Sequence, residues 1–526
     1  MEFISPQFSF VTREEAWKTL PQQKWDVVII GGGITGAACA RDAQLRGLKV
    51  LLVEADDFAS GTSSGSSKLI HGGVRYLKNA EFKLVYTAIQ ERERLTRLYA
   101  PFVQPIPFVF PTYTRKFPPR WMLNMGLHMY DAFSGFNEHH QNLTRNESIE
   151  RYPLLEDKGL TGSIVYRDAF AEDYRLVIEL IKSAHRLGAT CLNRVAAVSF
   201  ENLNSGFRTR LQNRLSGKEC VVDSKLIINC AGPFSDSIRK LLKLPEKLYL
   251  TQGVHFLVPR AKFPIQEAYV ISDPKQDRIL FAIPWNSTTY FGTTDTPVKE
   301  VKEARATKED LEYVIQEVNK AFNLPLRKED VFQSWAAVRP LIKPPEKPEG
   351  AKSVSKVSRE HEIIEEPEGF FHVLGGKLTS HREMAEEAID LLGERISFAR
   401  DCQTQDLPLQ GQFFEGEAND LERRYGIFAP DIAAWDKAKN LGRMKITQDL
   451  PITAAEIYYA IHHEMAIDPI DFLRRRSSLY YEKADPKIIE AVTKIFAQEL
   501  KHDQSWYQAS LKSSENIYAW DTEGFK

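Results

Sequence analysis

The sequence has few cysteines, no long apolar run and no excess of charge of either sign. Its five cysteines are odd in number, widely spaced and without a C-x-x-C pair, which argues against a disulfide framework or a cysteine-based zinc site and favours a reducing compartment. No stretch approaches the roughly 18–20 apolar residues of a membrane span. A net charge of −2 gives no reason to expect nucleic acid as the main partner. We therefore expect a cytoplasmic location.

The length of 526 residues is too great for one hydrophobic core, so two or three domains are expected. The first 24 residues contain acidic side chains, a proline and no long apolar core, so they are not expected to be a secretory signal. We treat residues 1–24 as a leader without an assigned function.

A strand, a glycine turn, a helix and a second strand follow the leader in close succession. The segment WDVVII (25–30) is predicted to be a buried strand because it is apolar and rich in β-branched residues. GGGITG (31–36) comes next, a helix closes at Gly47, and LKVLLVE (48–54) forms a second strand that ends in Glu54. This order is typical of a dinucleotide-binding unit.

The glycine turn has the spacing G-x-G-x-x-G. Glycine at these positions lets backbone N–H groups approach a pyrophosphate at the positive end of the helix, and an acid at the end of the second strand can accept hydrogen bonds from the adenosine ribose. The sequence therefore predicts contacts to a dinucleotide cofactor by Gly31, Gly33, Gly36 and Glu54.

Two later strand ends also carry glycine and favour FAD over NAD. One lies in SKLIINCAGPFSD (224–236) and the other in FFHVLGGKLTSHREMAEEAIDLL (370–392). Three such strand ends fit a long cofactor that lies across one domain, and a helix N-terminus near residues 377–379 would stabilise an anionic reduced flavin. Ordinary strand–helix turns remain the alternative. The small residues 61–67 can pass close to the flavin and bring polar groups of residues 68–76 to its reactive end.

The chain resembles the FAD-dependent glycerol-3-phosphate dehydrogenases of the respiratory type. The resemblance begins at residue 25 and covers nearly all of the chain beyond it. The order of several short motifs makes the resemblance specific, although the glycine turn alone is shared by many flavoenzymes. The motifs are SSKLIHGGVRYL (66–77), YDAF (130–133), CAGPFSD (230–236), IPW…FGTTDT (283–296), AAVRPL (336–341), GGKLTSHR (375–382) and the helical segment EIYYAIHHEMAIDPIDFLRRRSSLYY (456–481).

The resemblance implies an α/β fold, α+β overall: a Rossmann-like FAD-binding domain with an inserted antiparallel-sheet substrate domain and a C-terminal helical domain. We predict that residues 25–100, 155–245 and 350–400 form the discontinuous FAD-binding domain. The substrate-capping domain is predicted to comprise residues 101–154 and 246–349, and the helical domain residues 401–526. Within the second FAD-domain segment, residues 166–187 are predicted to form a helix that feeds a strand.

The resemblance also implies the residues of the site. The substrate and its phosphate are placed at Arg75, Tyr76, Arg339, Arg359 and Lys377, since a dianion calls for several cations. Arg339 and Lys377 are counted as catalytic together with His255, the predicted general base, for which His71 is the competitor. The cofactor contacts beyond the glycine turn and Glu54 are predicted at Thr62, Ser63, Ser67, Lys68, Leu69, His71, Gly73, Val195, Ala231, Gly232, Gly376, Lys377, Leu378 and Thr379.

The implied reaction is oxidation of sn-glycerol 3-phosphate to dihydroxyacetone phosphate by hydride transfer to FAD, with electrons passed to quinone. One alternative is an oxidase that uses O₂, although the oxidases of the family carry a mid-chain insertion that is not seen here. A second is an amino-acid or hydroxy-acid oxidoreductase of the same fold. A flavin-dependent RNA-modifying or RNA-binding protein is a third, disfavoured by the charge balance and by the absence of a basic stripe in the sequence.

Segment 115–133 bears on location. It combines Arg115, Lys116 and Arg120 with Trp121 and three methionines, which is compatible either with an element in a membrane interface or with a Met-rich core helix. The resemblance favours peripheral attachment to the inner face of the cytoplasmic membrane. A homodimer is one option for the oligomeric state. The histidine pairs 139–140 and 462–463 lack further ligand spacing, so no metal is predicted.

Overall fold

The structure is a computed structural model that describes residues 3–74, 81–114, 119–135, 139–273, 278–343, 361–483 and 485–526. The strands are β1 Lys24–Ile30, β2 Val50–Val53, β3 Leu69–Ile70, β4 Gln104–Tyr113, β5 Gln141–Thr144, β6 Leu160–Phe170, β7 Thr190–Leu192, β8 Val195–Leu203, β9 Gly206–Asn213, β10 Glu219–Asn229, β11 Leu248–Pro259, β12 Ala268–Asp273, β13 Arg278–Trp285, β14 Thr288–Gly292, β15 Thr296–Pro297, β16 Gln333–Ile342, β17 His361–Glu365 and β18 Phe370–Gly375.

The helices are α1 Phe10–Thr19, α2 Ile34–Leu45, α3 Phe82–Leu98, α4 Arg120–Phe133, α5 Arg145–Arg151, α6 Asp173–Arg186, α7 Ser235–Leu241, α8 Lys308–Ala321, α9 His381–Leu392, α10 Asp420–Tyr425, α11 Ala429–Lys439, α12 Ala454–His463, α13 Pro469–Arg475, α14 Leu479–Lys483, α15 Pro486–Glu499 and α16 Gln504–Glu523.

The first sheet is built around parallel strands. Its order is β17-β18-β10-β1-β2-β7, and β8 and β9 extend it as an antiparallel ribbon from β10. Strand β1 pairs in parallel with both β10 and β2, and its apolar residues are buried because helices cover the sheet. Helix α2, which follows the glycine turn, packs between α6 and α9. The carboxyl ends of β1, β10 and β18 therefore meet at one edge of the sheet.

The second sheet is mainly antiparallel, and its order is β15-β11-β14-β13-β12-β4-β6-β3, with β16 on β11 and β5 on β6. Strands β11 and β14 contribute Val254, Phe256 and Phe291 to a separate buried cluster, to which α8 adds Val314 and Val318. The two sheets and the helices after β18 confirm the predicted fold class.

Strand β6 differs from the sequence prediction. Residues 166–170 were expected to begin a helix in the cofactor domain, but they form the end of β6, and helix α6 begins only at Asp173. Strand β6 pairs with β3, β4 and β5 of the second sheet. Pairing with three neighbours satisfies its backbone in a way that local propensity does not reveal. We therefore propose that the second cofactor-domain segment starts after residue 170 rather than at residue 155.

The N-terminal segment connects the C-terminal helices to the first sheet. The backbone N–H groups of Ile4 and Ser5 donate to the carboxylate of Asp431 in α11, and the Phe8 N–H donates to the His462 carbonyl. On the other side, the buried Arg13 guanidinium donates to the Asn193 carbonyl over 2.9 Å. The segment predicted as a leader is therefore packed as part of the folded molecule.

Candidate active site

The glycine turn packs too closely for side chains. Gly31 has a φ of +110°, and a Cβ at this position would lie 2.5 Å from the Cys230 carbonyl oxygen of the strand end beside it. A Cβ at Gly36 would lie 1.9 Å from the Gly31 carbonyl oxygen. These contacts hold the first turn of α2 against the ends of β1 and β10, where the Ile34 N–H donates to Ser63 Oγ over 2.9 Å.

Glu54 lies beside this turn at the end of β2. One carboxylate oxygen accepts the Gly32 N–H over 2.7 Å, and the other accepts the Asp56 N–H over 2.7 Å. Burial raises the pKa of Glu54 to about 7, because removal from water disfavours the charged carboxylate. The side chain is thus fixed at the edge of the turn, where a ribose hydroxyl can reach it.

A cleft runs along the edge where the three strand ends meet. It contains about 860 Å³ of empty space, counted with its open mouth. Many of the predicted cofactor residues line it, and the flanking loops add others that the sequence did not single out, including Phe234 and Pro340. The predicted residues along the cleft are Gly31, Gly33, Glu54, Thr62, Ser63, Ala231, Gly232, Gly376, Lys377 and Leu378.

The shape and backbone of the cleft fit a flavin dinucleotide. Positive φ angles occur at Gly31, Gly232, Gly375 and Gly376, so the backbone turns sharply at each of the three strand ends. The helix N-terminus of α2 and the ammonium of Lys377 provide positive charge for a pyrophosphate or a reduced flavin. The residues present therefore suit FAD along the full length of the cleft.

Lys68 and Val195, two of the predicted cofactor contacts, lie outside the cleft lining. The Lys68 ammonium is fully buried, 2.7 Å from an Asp173 carboxylate oxygen. It also lies 5.1–5.3 Å from the ring centroids of four aromatic side chains. The Val195 N–H donates to the Glu54 carbonyl over 2.7 Å. The Lys68 side chain and the Val195 amide are thus engaged by the protein itself.

The remaining predicted cofactor residues also lie outside the cleft lining. Leu69 is buried in β3, and the Ser67 hydroxyl contacts His255. Thr379 Oγ1 accepts the His71 N–H over 3.0 Å. Gly36 is enclosed by the glycine turn, and Gly73 adopts a φ of +69° in the segment after β3.

Arg339 is the predicted substrate cation that the structure describes most fully. It lies in β16, where its guanidinium donates to Asp295 over 3.1 Å and to the Thr293 hydroxyl over 2.8 Å. Both partners belong to the FGTTDT segment, so two of the motifs quoted above meet in space. A glycine at position 253 leaves room for the guanidinium, since a Cβ there would lie 2.2 Å from it. Arg75, Tyr76 and Arg359 lie outside the described residues.

His255 is buried in β11 among aromatic rings. Its ring stacks on Trp335 with centroids 4.7 Å apart, and its Nε2 atom lies 2.9 Å from Ser67 Oγ. Burial lowers the pKa of His255 well below its usual value, and the positive charges of Arg339 and Lys68 lower it further. The imidazole is therefore neutral at pH 7, as a proton acceptor must be.

Three buried polar residues that sequence reasoning missed hold the chain just before Arg75. Asp168 accepts hydrogen bonds from the Gly72 N–H over 3.2 Å and from the Arg92 guanidinium over 3.0 Å. The Tyr130 hydroxyl also donates to Asp168 and accepts the Gly72 N–H. Arg92 and Asp168 come from α3 and β6, so no local signal in the sequence joined them, although Tyr130 stands in the YDAF motif.

Comparison with known protein families identifies the chain. A model of the FAD dependent oxidoreductase family matches residues 26–391, and a model of the C-terminal domain of alpha-glycerophosphate oxidase matches residues 402–506. The aerobic glycerol-3-phosphate dehydrogenase of Staphylococcus haemolyticus is 35% identical over 94% of this chain and 95% of the relative. The chain belongs to the FAD-dependent glycerol-3-phosphate dehydrogenase family. The prediction of the family and of FAD as its cofactor is confirmed.

More distant relatives and solved structures agree with this assignment. The mitochondrial glycerol-3-phosphate dehydrogenase of Arabidopsis thaliana is 32% identical over 94% of this chain and 85% of the relative. The crystal structure of the Bacillus halodurans glycerol-3-phosphate dehydrogenase, solved with FAD, superposes with a TM-score of 0.78 at 26% identity, over 98% of this chain and 99% of that one. The Mycoplasma pneumoniae L-alpha-glycerophosphate oxidase shares the fold, with a TM-score of 0.58 and 18% identity over 73% of this chain and 98% of that one.

Among the described residues, the helices are all too short or too polar to cross a bilayer.

Proposed function

We propose that the protein oxidises sn-glycerol 3-phosphate to dihydroxyacetone phosphate with FAD as the hydride acceptor. The observation that carries this proposal is a buried, neutral His255 close enough to Arg339 for its charge to act on the ring, in a protein whose dinucleotide cleft is lined by Lys377. The arginine and lysine cations can pair with the phosphate dianion, and the neutral imidazole can accept the proton of the substrate hydroxyl. The near full-length similarity to proteins named glycerol-3-phosphate dehydrogenase supports the same substrate.

Each residue has a distinct part in this proposal. When bound, FAD supplies the hydride acceptor. The Arg339 guanidinium, held in place by Asp295 and Thr293, provides fixed positive charge for the substrate. His255 takes the proton of the secondary hydroxyl at Nε2, the atom that Ser67 orients. The aromatic rings around His255 exclude water from the proton transfer. Arg75, Tyr76 and Arg359 remain predicted phosphate ligands.

Anaerobic mixing of the purified holoprotein with glycerol 3-phosphate tests the proposal. Loss of the oxidised flavin absorbance within the turnover time is the expected result, and dihydroxyacetone phosphate should accumulate in equal amount. Glycerol and lactate serve as control substrates that lack the phosphate. Persistent oxidised flavin with glycerol 3-phosphate, or equal bleaching by lactate, would contradict it.

We propose quinone as the electron acceptor and a membrane surface as the place where it is met. Four large apolar side chains are exposed on two helices that pack together: Trp121 and Met125 on α4, at 69% and 61% exposure, and Phe82 and Tyr86 on α3, at 47% and 49%. We call these four residues the α3–α4 patch. Exposed apolar side chains of this size suit a membrane interface.

Of the three basic residues predicted to flank this patch, the structure describes Arg120. The Arg120 guanidinium donates to the Thr161 and Leu143 carbonyls, so it anchors α4 to the second sheet rather than serving lipid headgroups. Arg115 and Lys116 lie outside the described residues. Attachment therefore rests on the α3–α4 patch, and we propose the inner face of the cytoplasmic membrane as its location.

An O₂-using oxidase is the second candidate function, because the match to the C-terminal domain of alpha-glycerophosphate oxidase covers residues 402–506. Turnover with a short-chain quinone under nitrogen, compared with turnover in air-saturated buffer, separates the two. We expect quinone to reoxidise the enzyme much faster than O₂. Hydrogen peroxide formed in equal amount to the product would instead identify an oxidase.

A further inference from the structure

Two histidines and an aspartate gather at the end of helix α4, away from the cleft. His128 and Asp131 are three positions apart in the helix, and His140 lies just before strand β5. One potential ligand atom from each residue lies within 4.8 Å of the others. Residues at i and i+3 of a helix project from the same face, and the i, i+3 spacing of a carboxylate and a histidine recurs in helical metal sites.

The burial of these side chains sets them apart from a chance surface cluster. The side chains of His140 and Asp131 are 2% and 8% exposed, whereas His128 is exposed. Two ligands are therefore fixed by packing, and the third faces solvent, which provides a path of entry. Neither histidine takes part in the proposed oxidation.

Hydrogen bonds fix the orientation of the His140 ring within the cluster. His140 Nδ1 lies 2.7 Å from the Asp131 carboxylate, and Nε2 lies 2.7 Å from Asn124 Oδ1. Asn142 Nδ2 donates to the same Asn124 oxygen over 2.6 Å, which fixes that atom as an acceptor. The ring is thus held with Nε2 toward Asn124 and Nδ1 toward the Asp131 carboxylate. A cation between Nδ1 and the carboxylate would meet two ligand atoms that packing already brings together.

We propose that His128, Asp131 and His140 form a binding site for a divalent transition metal of the zinc class. Imidazole nitrogen and carboxylate oxygen are the ligands that zinc accepts, with bond lengths of about 2.0–2.2 Å. Ligand atoms in a tetrahedral site of that size lie about 3.4 Å apart. The three atoms lie within 4.8 Å of one another, so no separation needs to shrink by more than about 1.4 Å, while the 2.7 Å between His140 Nδ1 and Asp131 must widen by about 0.7 Å. Rotation of the exposed His128 side chain can supply the shortening, and water completes the coordination.

The bound ion would fasten helix α4 to strand β5. Helix α4 also carries Trp121 and Met125 of the α3–α4 patch at its other end, and Tyr130, adjacent in the chain to Asp131, contacts Gly72 near the predicted substrate site. The inference concerns metal binding only, so it stands or falls independently of the oxidation chemistry.

Zinc titration of the chelator-treated holoprotein against a chromophoric chelator tests the site. We expect one tightly held equivalent in the wild type, weakened by at least about tenfold in His128→Ala. His139→Ala is the matched control, because it removes the neighbouring histidine that lies outside the cluster. His128 is exposed, so its removal should leave the flavin content unchanged.

Cobalt supplies a second readout that weak surface binding would not mimic. Co²⁺ in the wild type should give the intense visible bands of a four-coordinate site, and His128→Ala should lose them. A thermal shift with added Zn²⁺ in the wild type and His139→Ala, but not in His128→Ala, is also expected. Failure of the wild type to retain one equivalent, or equal retention by His128→Ala, would overturn the proposal.

Discussion

At the scale of single residues, the environment of His255 is the feature that bears most directly on catalysis. The ring is held between Trp335 and Ser67 and kept neutral by burial and by two nearby cations. A positioned base contributes about 10²–10⁴-fold to the chemical step. We therefore expect His255→Asn to slow flavin reduction by about that factor while substrate affinity changes little.

Stopped-flow measurement of flavin reduction at several glycerol 3-phosphate concentrations checks this expectation, because it separates the limiting rate from the apparent dissociation constant. Ser67→Ala, which leaves the ring but removes its hydrogen-bond partner, should show a smaller loss of rate. An unchanged limiting rate in His255→Asn would transfer the role of base to His71 or to water.

His372 provides a pH-dependent contribution to stability. Its Nδ1 accepts from Asn229 Nδ2 over 3.0 Å, and its Nε2 donates to the Glu366 carbonyl over 2.7 Å. The bond from Asn229 requires the neutral ring, because a protonated Nδ1 cannot accept. Burial lowers the pKa of His372 to about 4. Between this value and the ordinary value of about 6.5, the unfolded chain binds a proton that the folded chain does not, so stability falls as pH falls.

The test is to measure the free energy of unfolding of the wild type and of His372→Asn from pH 7.5 to pH 4.5. The difference between the two proteins reports the titration of His372, because the other titratable groups are the same in both. The advantage of the wild type should shrink below about pH 6.5 by about 1.4 kcal/mol per pH unit. A difference that stays constant over this range would show that His372 is protonated in the folded state as readily as in the unfolded state.

The position of a single residue could be predicted from the sequence where backbone geometry decides it. Gly31, Gly33 and Glu54 line the cleft. The two glycines follow strand β1 and Glu54 follows strand β2, so the parallel strands bring all three to the same edge of the sheet. Lys68 lies next to the same loop, but its side chain turns into a cage of aromatic residues from distant segments. The direction of a side chain at a loop position depends on those tertiary partners, so it could not be predicted from the sequence.

At the scale of elements, the segment from β3 to Gly73 is positioned by groups beneath it. Gly72 has no room for a side chain, since a Cβ would lie 2.5 Å from the Tyr130 hydroxyl, and its N–H is held by Tyr130 and Asp168. If Arg75 binds the phosphate as predicted, these contacts determine where it stands. A displacement of about 1 Å can reduce turnover by about 100-fold.

We expect Asp168→Asn to lower kcat/KM for glycerol 3-phosphate by about 10–100-fold, mainly through a higher KM, because the variant weakens the hold on Gly72 and on Arg92. Unphosphorylated glycerol is the control substrate and should be little affected. Steady-state kinetics with both substrates, at matched flavin content, checks this. An equal loss with glycerol would indicate that Asp168 supports the fold in general.

The α3–α4 patch makes a separate prediction for helix α4. Replacement of Trp121 and Met125 by serine removes the two most exposed apolar side chains of the helix and leaves its buried face intact. We expect the double variant to sediment much less with lipid vesicles while its activity with a soluble dye remains unchanged. Phe413→Ser removes an exposed aromatic residue elsewhere and serves as the control. Equal sedimentation of wild type and double variant would contradict the membrane assignment.

Helices and strands were predicted unequally well. The strand–helix pairs around the glycine turns match β1–α2 and β18–α9, because apolar runs and glycine mark their limits. Strand β6 was mistaken for the start of a helix, since its pairing partners β3, β4 and β5 are all remote in sequence or too short to recognise. The apposition of His140 with His128 and Asp131 was missed for a similar reason, because the intervening chain gives no spacing rule.

At the scale of the whole molecule, buried ion pairs join the C-terminal helices to the cofactor domain. Asp57, just after β2, accepts hydrogen bonds from Arg475 over 2.7 Å and from Arg476 over 3.0 Å. All three side chains are buried. Removal of one partner from such a group leaves uncompensated charge in the interior.

Asp57→Ala should therefore lower the free energy of unfolding by about 3–5 kcal/mol. Asp223→Ala is the control, because it breaks the exposed pair with Arg208 and should cost no more than about 1 kcal/mol. Urea unfolding followed by flavin release and by circular dichroism checks both values. A small effect in Asp57→Ala would mean that the C-terminal helices are held by their apolar contacts alone.

The ion pairs around Asp57 also order events during synthesis. Asp57 and Arg475 are 418 residues apart, so a ribosome that adds about 5–20 residues per second makes the carboxylate about 20–80 s before its partner. Throughout that interval the Asp57 carboxylate has no arginine partner, because Arg475 and Arg476 have not yet been made. The contacts of Asp57 with Arg475 and Arg476 can therefore form only after nearly all of the chain up to residue 476 has been made, which places this junction among the last to be completed during synthesis.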